Sequence, residues 1–309
     1  MIRNVNISIL VLLNIFLLKN CKKNEVTEPK GFETTVEDDS INFAVIGDFG
    51  KSGLAEKAVA DMVDSWNPDF IITTGDNNYY EGKYSTITEN ITQYYGDYIY
   101  NYDAPDEYQC KGKAFRDSIN RFFPSPGNHD ANNSDQLAPY LNFFTLPGQE
   151  NYYKFVWGPV SFFSLDSETG NLKTQKSWLF KELDSSQTAF NIVYFHHSPW
   201  SNGFHGNNTN MQWDFYNHNV DVIFAGHDHI YSRIEKKNEK GMYYVVNGLG
   251  GCSLYNCIPD ALPSESFNLF CYDENYGAIK ARADNNCLEI KFYSISNFNS
   301  AIDSISICK

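Results

Sequence analysis

Apolar residues run through this chain in short continuous blocks, and the strongest blocks each end on a polar pair. Ile41-Asn42-Phe43-Ala44-Val45-Ile46 ends in Gly47-Asp48, and Phe70-Ile71-Ile72-Thr73-Thr74 ends in Gly75-Asp76. Asn191-Ile192-Val193-Tyr194-Phe195 leads to His196-His197, and Val220-Asp221-Val222-Ile223-Phe224-Ala225 to Gly226-His227. Continuous runs of this length predict strands buried on both faces. Between the first two, Leu54, Ala55, Ala58, Val59, Met62, Val63 and Trp66 recur at i, i+3, i+4 spacing. They predict an amphipathic helix, which Pro68 ends. Strand, helix and strand in that order predict βαβ units, whose ligand crevice lies beyond the C-terminal ends of the strands.

Other segments read as antiparallel. Tyr152 to Val156 and Val160 to Leu165 flank Trp157-Gly158-Pro159 as a hairpin, and Met242 to Val246 and Leu288 to Ile295 add strands. Tyr79 to Phe123 is rich in Tyr and Asn with little periodicity, which predicts long loops and short helices around the mouth of a site. The expected fold class is α/β with α+β character: two packed mixed β-sheets flanked by helices. One domain spans residues 41–309, with no internal repeat.

The start of the chain reads differently. Arg3 precedes a mainly apolar stretch from Ile7 to Leu18, broken by Ser8 and Asn14. About 20 residues are needed to cross a bilayer as a helix, so residues 1–21 read as an export signal. Leu18-Lys19-Asn20-Cys21 resembles a loose lipoprotein box, with Cys21 as the lipid-modified residue. Lys19 and Asn20 depart from the small residues usual there, so plain secretion stands as the alternative. Residues 22–40 are polar and read as a tether. The expected location is outside the cytoplasm: secreted, periplasmic or lipid-anchored, with membrane contact only through a lipid on Cys21.

Charge and cysteines narrow the partners. Against 24 basic residues stand 38 acidic ones, a net charge of −14. That balance repels nucleic acid and anionic lipid. Setting Cys21 aside leaves six cysteines, an even number consistent with disulfides in an oxidising compartment. Cys252 and Cys257 are the easiest local closure, and no Cys-x-x-Cys spacing supports a metal role for the thiols.

Five polar blocks carry the candidate chemistry: Gly47-Asp48-Phe49-Gly50, Gly75-Asp76-Asn77-Asn78-Tyr79, Gly127-Asn128-His129-Asp130, His196-His197-Ser198-Pro199 and Gly226-His227-Asp228-His229. Singly, a Gly-Asp is usually a turn or helix cap, and an Asn-His pair is loop polarity. Jointly they follow strand-like runs and each supplies a carboxylate, amide, phenol or imidazole, which plain turns have no reason to repeat.

In that order the blocks resemble the metallophosphoesterase superfamily with its calcineurin-like fold. Tyr79, three residues after Asp76, and Gly226-His227-Asp228-His229-Ile230-Tyr231 resemble the small, single-domain purple acid phosphatases. The resemblance implies one ferric ion held by Asp48, Asp76, Tyr79 and His229. It implies a second ion, Fe(II), Zn(II) or Mn(II), held by Asp76, Asn128, His197 and His227, with Asp76 bridging. Hard oxygen donors suit Fe(III), and a mixed His, amide and carboxylate set suits the divalent ions. Two ions about 3.5–4 Å apart clamp the attacking and leaving oxygens of an in-line displacement. The implied activity is acid phosphatase: hydrolysis of small phosphomonoesters by hydroxide held at the binuclear centre, with His129 and His205 as acid–base or phosphate-binding groups. An exported phosphodiesterase with a Zn or Mn pair is the alternative. A non-catalytic surface binding protein on the same scaffold is a third reading, and it would need lost ligands.

Two positions depend on register. Neighbouring strand residues face opposite ways, so only one of His196 and His197 is expected to face the metals. The resembled family places its ligand one residue before x-Pro, which His197-Ser198-Pro199 fits, so the resemblance implies His197 and leaves His196 to pack behind the site or to bond a neighbour. Asp228 departs from the apolar residue usual between the last two ligands and reads as supporting or outward-facing. His218 reads as a surface histidine.

Overall fold

Phe43 and Phe70 on neighbouring strands stack with ring centroids 5.4 Å apart, and both meet Phe162 of a second sheet edge-on at 5.2 Å. That aromatic contact is the centre of the core between two sheets. The structure, a computed structural model, describes residues 32–34 and 40–309 except 134 and 265. The export signal and Cys21 lie outside the described residues, as does most of the tether.

In chain order the strands are β1 (Phe32–Thr34), β2 (Ser40–Ile46), β3 (Phe70–Thr73), β4 (Phe122–Pro124), β5 (Tyr153–Trp157), β6 (Val160–Ser164), β7 (Phe190–His197), β8 (Val222–Gly226), β9 (Tyr231–Lys236), β10 (Tyr243–Asn247), β11 (Phe267–Tyr272), β12 (Gly277–Asp284), β13 (Cys287–Ser294) and β14 (Asp303–Cys308). One sheet runs β1-β5-β6-β7-β8-β10-β9-β11 and the other β14-β13-β12-β2-β3-β4. This is the expected pair of mixed sheets. Within the stretch read as a tether, β1 pairs in parallel with β5.

Side-chain alternation assigns the faces. In β7, Ile192 and Tyr194 belong to the core between the sheets, and Val193 and Phe195 to a second core on the outer face. The helix Leu172–Asp184 covers that outer face with Leu179 and Leu183, and it is capped by Asn171, whose side chain accepts from Thr174 N at 3.1 Å.

The helix Leu54–Ser65 follows β2 as expected. Its buried face is rotated from the expected one: Leu54 is 89% exposed, while Glu56 is fully buried beside Val59, Ala60, Met62 and Val63. Among the described residues two disulfides are present, Cys257–Cys271 and Cys287–Cys308, whereas Cys110 and Cys252 are free and buried. The short spacing of Cys252 and Cys257 is therefore not used. The neighbours β2, β3 and β4 are mutually parallel, as are β6, β7 and β8. All five polar blocks thus emerge at strand C-terminal ends.

Candidate metal centre

The turns after β2 and β3 are built alike. Asp48 and Asp76 each follow a glycine and both have φ of 54°. Residues other than glycine seldom adopt this left-handed backbone, though Asp tolerates it better than most. Asp48 N donates to Gly75 O at 3.1 Å and Gly50 N to Asp76 O at 3.3 Å, so the two turns hold each other. Tyr79 N donates to Gly50 O at 2.7 Å, which brings its ring over the first turn. The phenol oxygen lies 3.1 Å from Asp48 Oδ1 and 3.2 Å from His229 Nε2.

The Gly127-Asn128-His129 turn closes on Asp76. A Cβ at Gly127 would lie 2.2 Å from Asp76 N and 2.3 Å from Asp76 Oδ1, so the approach requires glycine. His129 N donates to Asp76 Oδ1 at 2.8 Å. The His129 ring donates from Nδ1 to Tyr80 O at 2.7 Å, leaving Nε2 free. Asp130, to which the sequence reading gave no role, joins the turns from behind. Its carboxylate accepts from Gly127 N at 2.8 Å, Asn77 N at 3.1 Å and Asn77 Nδ2 at 2.9 Å. Burial, and then the charge of Asp76, push Asp130 up to about 7. A signal was available, since an acidic residue three positions after a turn glycine is a capping spacing.

From the larger sheet come the imidazoles. His196 is fully buried and donates from Nδ1 to Thr74 O at 2.9 Å. Its Nε2 then faces Asn128 Oδ1 at 2.9 Å, His227 Nδ1 at 3.2 Å and Asp76 Oδ2 at 3.4 Å. The imidazole nearest the Asp76 carboxylate is thus that of His196, one residue before the expected ligand His197. The reason is alternation: His196 continues the face of Ile192 and Tyr194, which looks at the other sheet. His197 instead lies against the Glu168 carboxylate, and its backbone N donates to Ser167 Oγ at 3.1 Å. Its ring nevertheless approaches His227, with centroids 4.0 Å apart, because the β7–β8 register shifts between Tyr194 and His197. The His197 ring therefore lies at the edge of the donor group although its neighbour His196 faces Asp76.

The remaining donors follow β8. His227, at φ 69°, donates its backbone N to Asp48 Oδ2 at 3.0 Å. His229 lies 2.5 Å from Ser253 Oγ through Nδ1 and 3.3 Å from Asp48 Oδ1 through Nε2. Asp228, between them, is buried and is not a donor to this group. Its carboxylate accepts from Ser201 Oγ at 2.5 Å, His205 N at 2.7 Å and Gly206 N at 3.2 Å. That bracing stacks the His205 ring on His227 at 3.9 Å. His218 is far from the group: its Nδ1 lies 2.7 Å from Asp184 Oδ1, and its ring stacks on Phe180.

The arrangement fits cations. Asp48, Asp76 and His196 each offer an atom within 4.8 Å of the other two. Ligands about 2.1 Å from one ion sit about 3.0–3.4 Å apart at octahedral or tetrahedral angles, which are the spacings found here. The Thr74 carbonyl fixes the His196 proton on Nδ1, so in the neutral ring the Nε2 lone pair faces a carboxylate and an amide oxygen. With protons alone, burial opposes charge on His196, but Asp76, Asp48 and Glu168 outweigh it and raise its pKa well above the usual range. Burial raises the Tyr79 phenol, and the Asp48 and Asp76 carboxylates raise it further. Burial and the neighbouring imidazoles push His227 far down. A positive ion among these groups would reverse the shifts of Tyr79 and His196.

A family model described as calcineurin-like phosphoesterase matches residues 41–231, and the chain belongs to that family. Within it, the chain is similar to purple acid phosphatases. It is 24% identical to purple acid phosphatase 17 of Arabidopsis thaliana over 298 residues, covering 85% of this chain and 83% of that protein. It is also 24% identical to tartrate-resistant acid phosphatase type 5 of Mus musculus over 257 residues, covering 68% and 72%. The chain spans about half of some longer relatives, such as purple acid phosphatase 23 of Arabidopsis thaliana, of which it covers 52%. Among solved structures it shares its fold with GAP50, described as the anchor in the inner membrane complex of Plasmodium, at a TM-score of 0.63 and 16% identity. That alignment covers 87% of this chain and 89% of the other. Family membership implies hydrolysis of phosphoric esters at a binuclear metal centre.

Proposed function

We propose that the protein is an exported, metal-dependent acid phosphatase that hydrolyses small phosphomonoesters, with Fe(III) beside Fe(II), Zn(II) or Mn(II). The observation that carries this reading is the Tyr79 phenol, buried against Asp48 Oδ1 at 3.1 Å and His229 Nε2 at 3.2 Å. Asp48, Asp76, Tyr79 and His229 would hold the ferric ion. Asp76, Asn128, His196 and His227 would hold the divalent one, with His196 standing where His197 was expected. When bound, such a pair lowers the pKa of coordinated water and polarises phosphoryl oxygens.

The chain's own groups supply orientation. The free Nε2 of His129 is available to a phosphate oxygen because Tyr80 O occupies Nδ1. His205, stacked on His227 and fixed through its backbone by Asp228, is placed to hold the phosphate or the leaving oxygen. Export is supported by the two disulfides, which suit an oxidising compartment. Among the described residues no helix is long and apolar enough to cross a membrane.

Metal analysis and a visible spectrum of the purified protein test the reading. One iron with a second metal, and a broad visible band that Tyr79→Phe removes, are expected. A colourless protein with two zinc or manganese ions, whose activity survives Tyr79→Phe, would overturn the iron assignment. Faster turnover of a bis-aryl phosphate than of an aryl phosphate would favour the diesterase instead.

A further inference from the structure

Aromatic rings form an unbroken chain around the donor group. Tyr80 meets Tyr79 at 5.7 Å, Tyr79 meets His229 at 6.3 Å, and His229 stacks on Tyr255 at 4.3 Å with planes 5° apart. Tyr255 meets Phe204 at 5.9 Å, and Phe204 meets His205 at 5.2 Å. Tyr79 and His229 are buried, while Tyr80 is 57% and Phe204 73% exposed.

Phe204 is not a loose loop residue. Asp228 receives Ser201 Oγ, His205 N and Gly206 N, Ser201 Oγ receives Gly203 N at 3.0 Å, and Ile258 N donates to Asn202 O at 2.7 Å. Every neighbour is fixed, yet the phenyl ring is presented to solvent. The adjoining His205 lines a cavity of about 200 Å³ together with His197, Gly206 and His227. Phe204 thus touches Tyr255 and His205 along one side and leaves most of its apolar surface in solvent beside a polar, metal-fitting centre.

Resting on the phosphatase reading, we propose that Phe204, backed by Tyr255, is a platform for a planar aromatic leaving group, so that the preferred substrates are aryl-type phosphomonoesters. The phosphate would sit at the metal-fitting donors and the aromatic group would lie against the exposed phenyl face. Offset stacking and edge contacts favour a planar ring over a saturated ring of similar area by about three- to tenfold in affinity.

Phosphonates test this without leaving-group chemistry. Dissociation constants of methylphosphonate, benzylphosphonate and cyclohexylmethylphosphonate are measured by calorimetry on the metal-loaded full chain, wild type and Phe204→Leu. Benzylphosphonate is expected to bind about three- to tenfold more tightly than cyclohexylmethylphosphonate, with Phe204→Leu erasing that gap. Methylphosphonate affinity should change less than about twofold, since Leu keeps the loop and removes only the ring. Equal binding of the two larger ligands to wild type, or a gap that survives Phe204→Leu, overturns the platform alone. Failure of methylphosphonate to bind wild type overturns the platform and the phosphatase reading together.

Discussion

His196 donates from Nδ1 to the Thr74 carbonyl at 2.9 Å, and this single bond joins the end of β7 in one sheet to the end of β3 in the other. Its consequence lies on the opposite side of the ring, where Nε2 is left facing Asn128 and Asp76. Two sheets that meet face to face thus fix one imidazole in position and tautomer. His197, one residue later, is fixed by Ser167 and Glu168 instead.

Metal content should separate these two histidines. His196→Ala is expected to lose about one of two bound equivalents, and His197→Ala to keep both. Elemental analysis of the desalted proteins checks this, and the reverse pattern would restore the spacing-based assignment of His197.

Asp228 braces a loop without touching the donor group. Asp228→Ala should retain both metals but lower kcat/KM by about 10- to 100-fold, the usual cost of removing an outer partner of a metal site. Amide exchange at Gly203, His205 and Gly206 should accelerate in parallel. Unchanged exchange would show that the loop is held by other contacts.

Glu56 is fully buried with both carboxylate oxygens unpartnered, and burial alone pushes it up to about 10. A raised carboxyl pKa means the folded state keeps a proton that the unfolded chain releases. Stability is therefore complete below about pH 4.5 and falls as pH rises toward 10, by at most about 1.4 kcal/mol per unit. By pH 7 the loss reaches at most about 3 kcal/mol. Glu56→Gln should match wild type near pH 4 and exceed it by about 1–3 kcal/mol at pH 7–8 in urea unfolding. Parallel pH profiles for the two proteins would refute the buried-acid account.

The Cys287–Cys308 bridge joins residues that are register partners on β13 and β14, closing the C-terminal strand onto its sheet. Replacing both by Ser should cost about 2–4 kcal/mol of unfolding free energy. Metal content should be unaffected, because the bridge lies on strands that contribute no donor. A loss of metal in this variant would mean that the sheet edge and the site are coupled.

Much of the fold is legible along the chain because its central strands are buried on both faces. The blocks that become β2, β3, β7 and β8 are continuous apolar runs, and each passes a polar group to its C-terminal end. Less of the edge is legible. The edge strands β11 and β14 are only partly buried, and even the inner strand β12, Gly277-Ala278-Ile279-Lys280-Ala281-Arg282-Ala283-Asp284, offers mostly small or charged residues. The helix Leu172–Asp184 was hidden because one turn of its buried face is Gln175, which bonds Asp166 rather than packing on apolar neighbours.

By itself the sequence determined which donor types exist and in what order they follow the strands: Asp48, Asp76, Tyr79, Asn128, paired histidines, His227 and His229. These are local properties, since a polar residue that follows a strand is placed at the C-terminal end of that strand wherever the strand lies. Only the tertiary structure set His196 beside Asp76 and Asn128, gave Asp228 and Asp130 their bracing roles, buried Glu56 in place of Leu54, and paired Cys257 with Cys271. Each of those outcomes depends on which face of an element meets which neighbour. A shift of one residue, or of one helical rotation, changes that face without changing the local pattern.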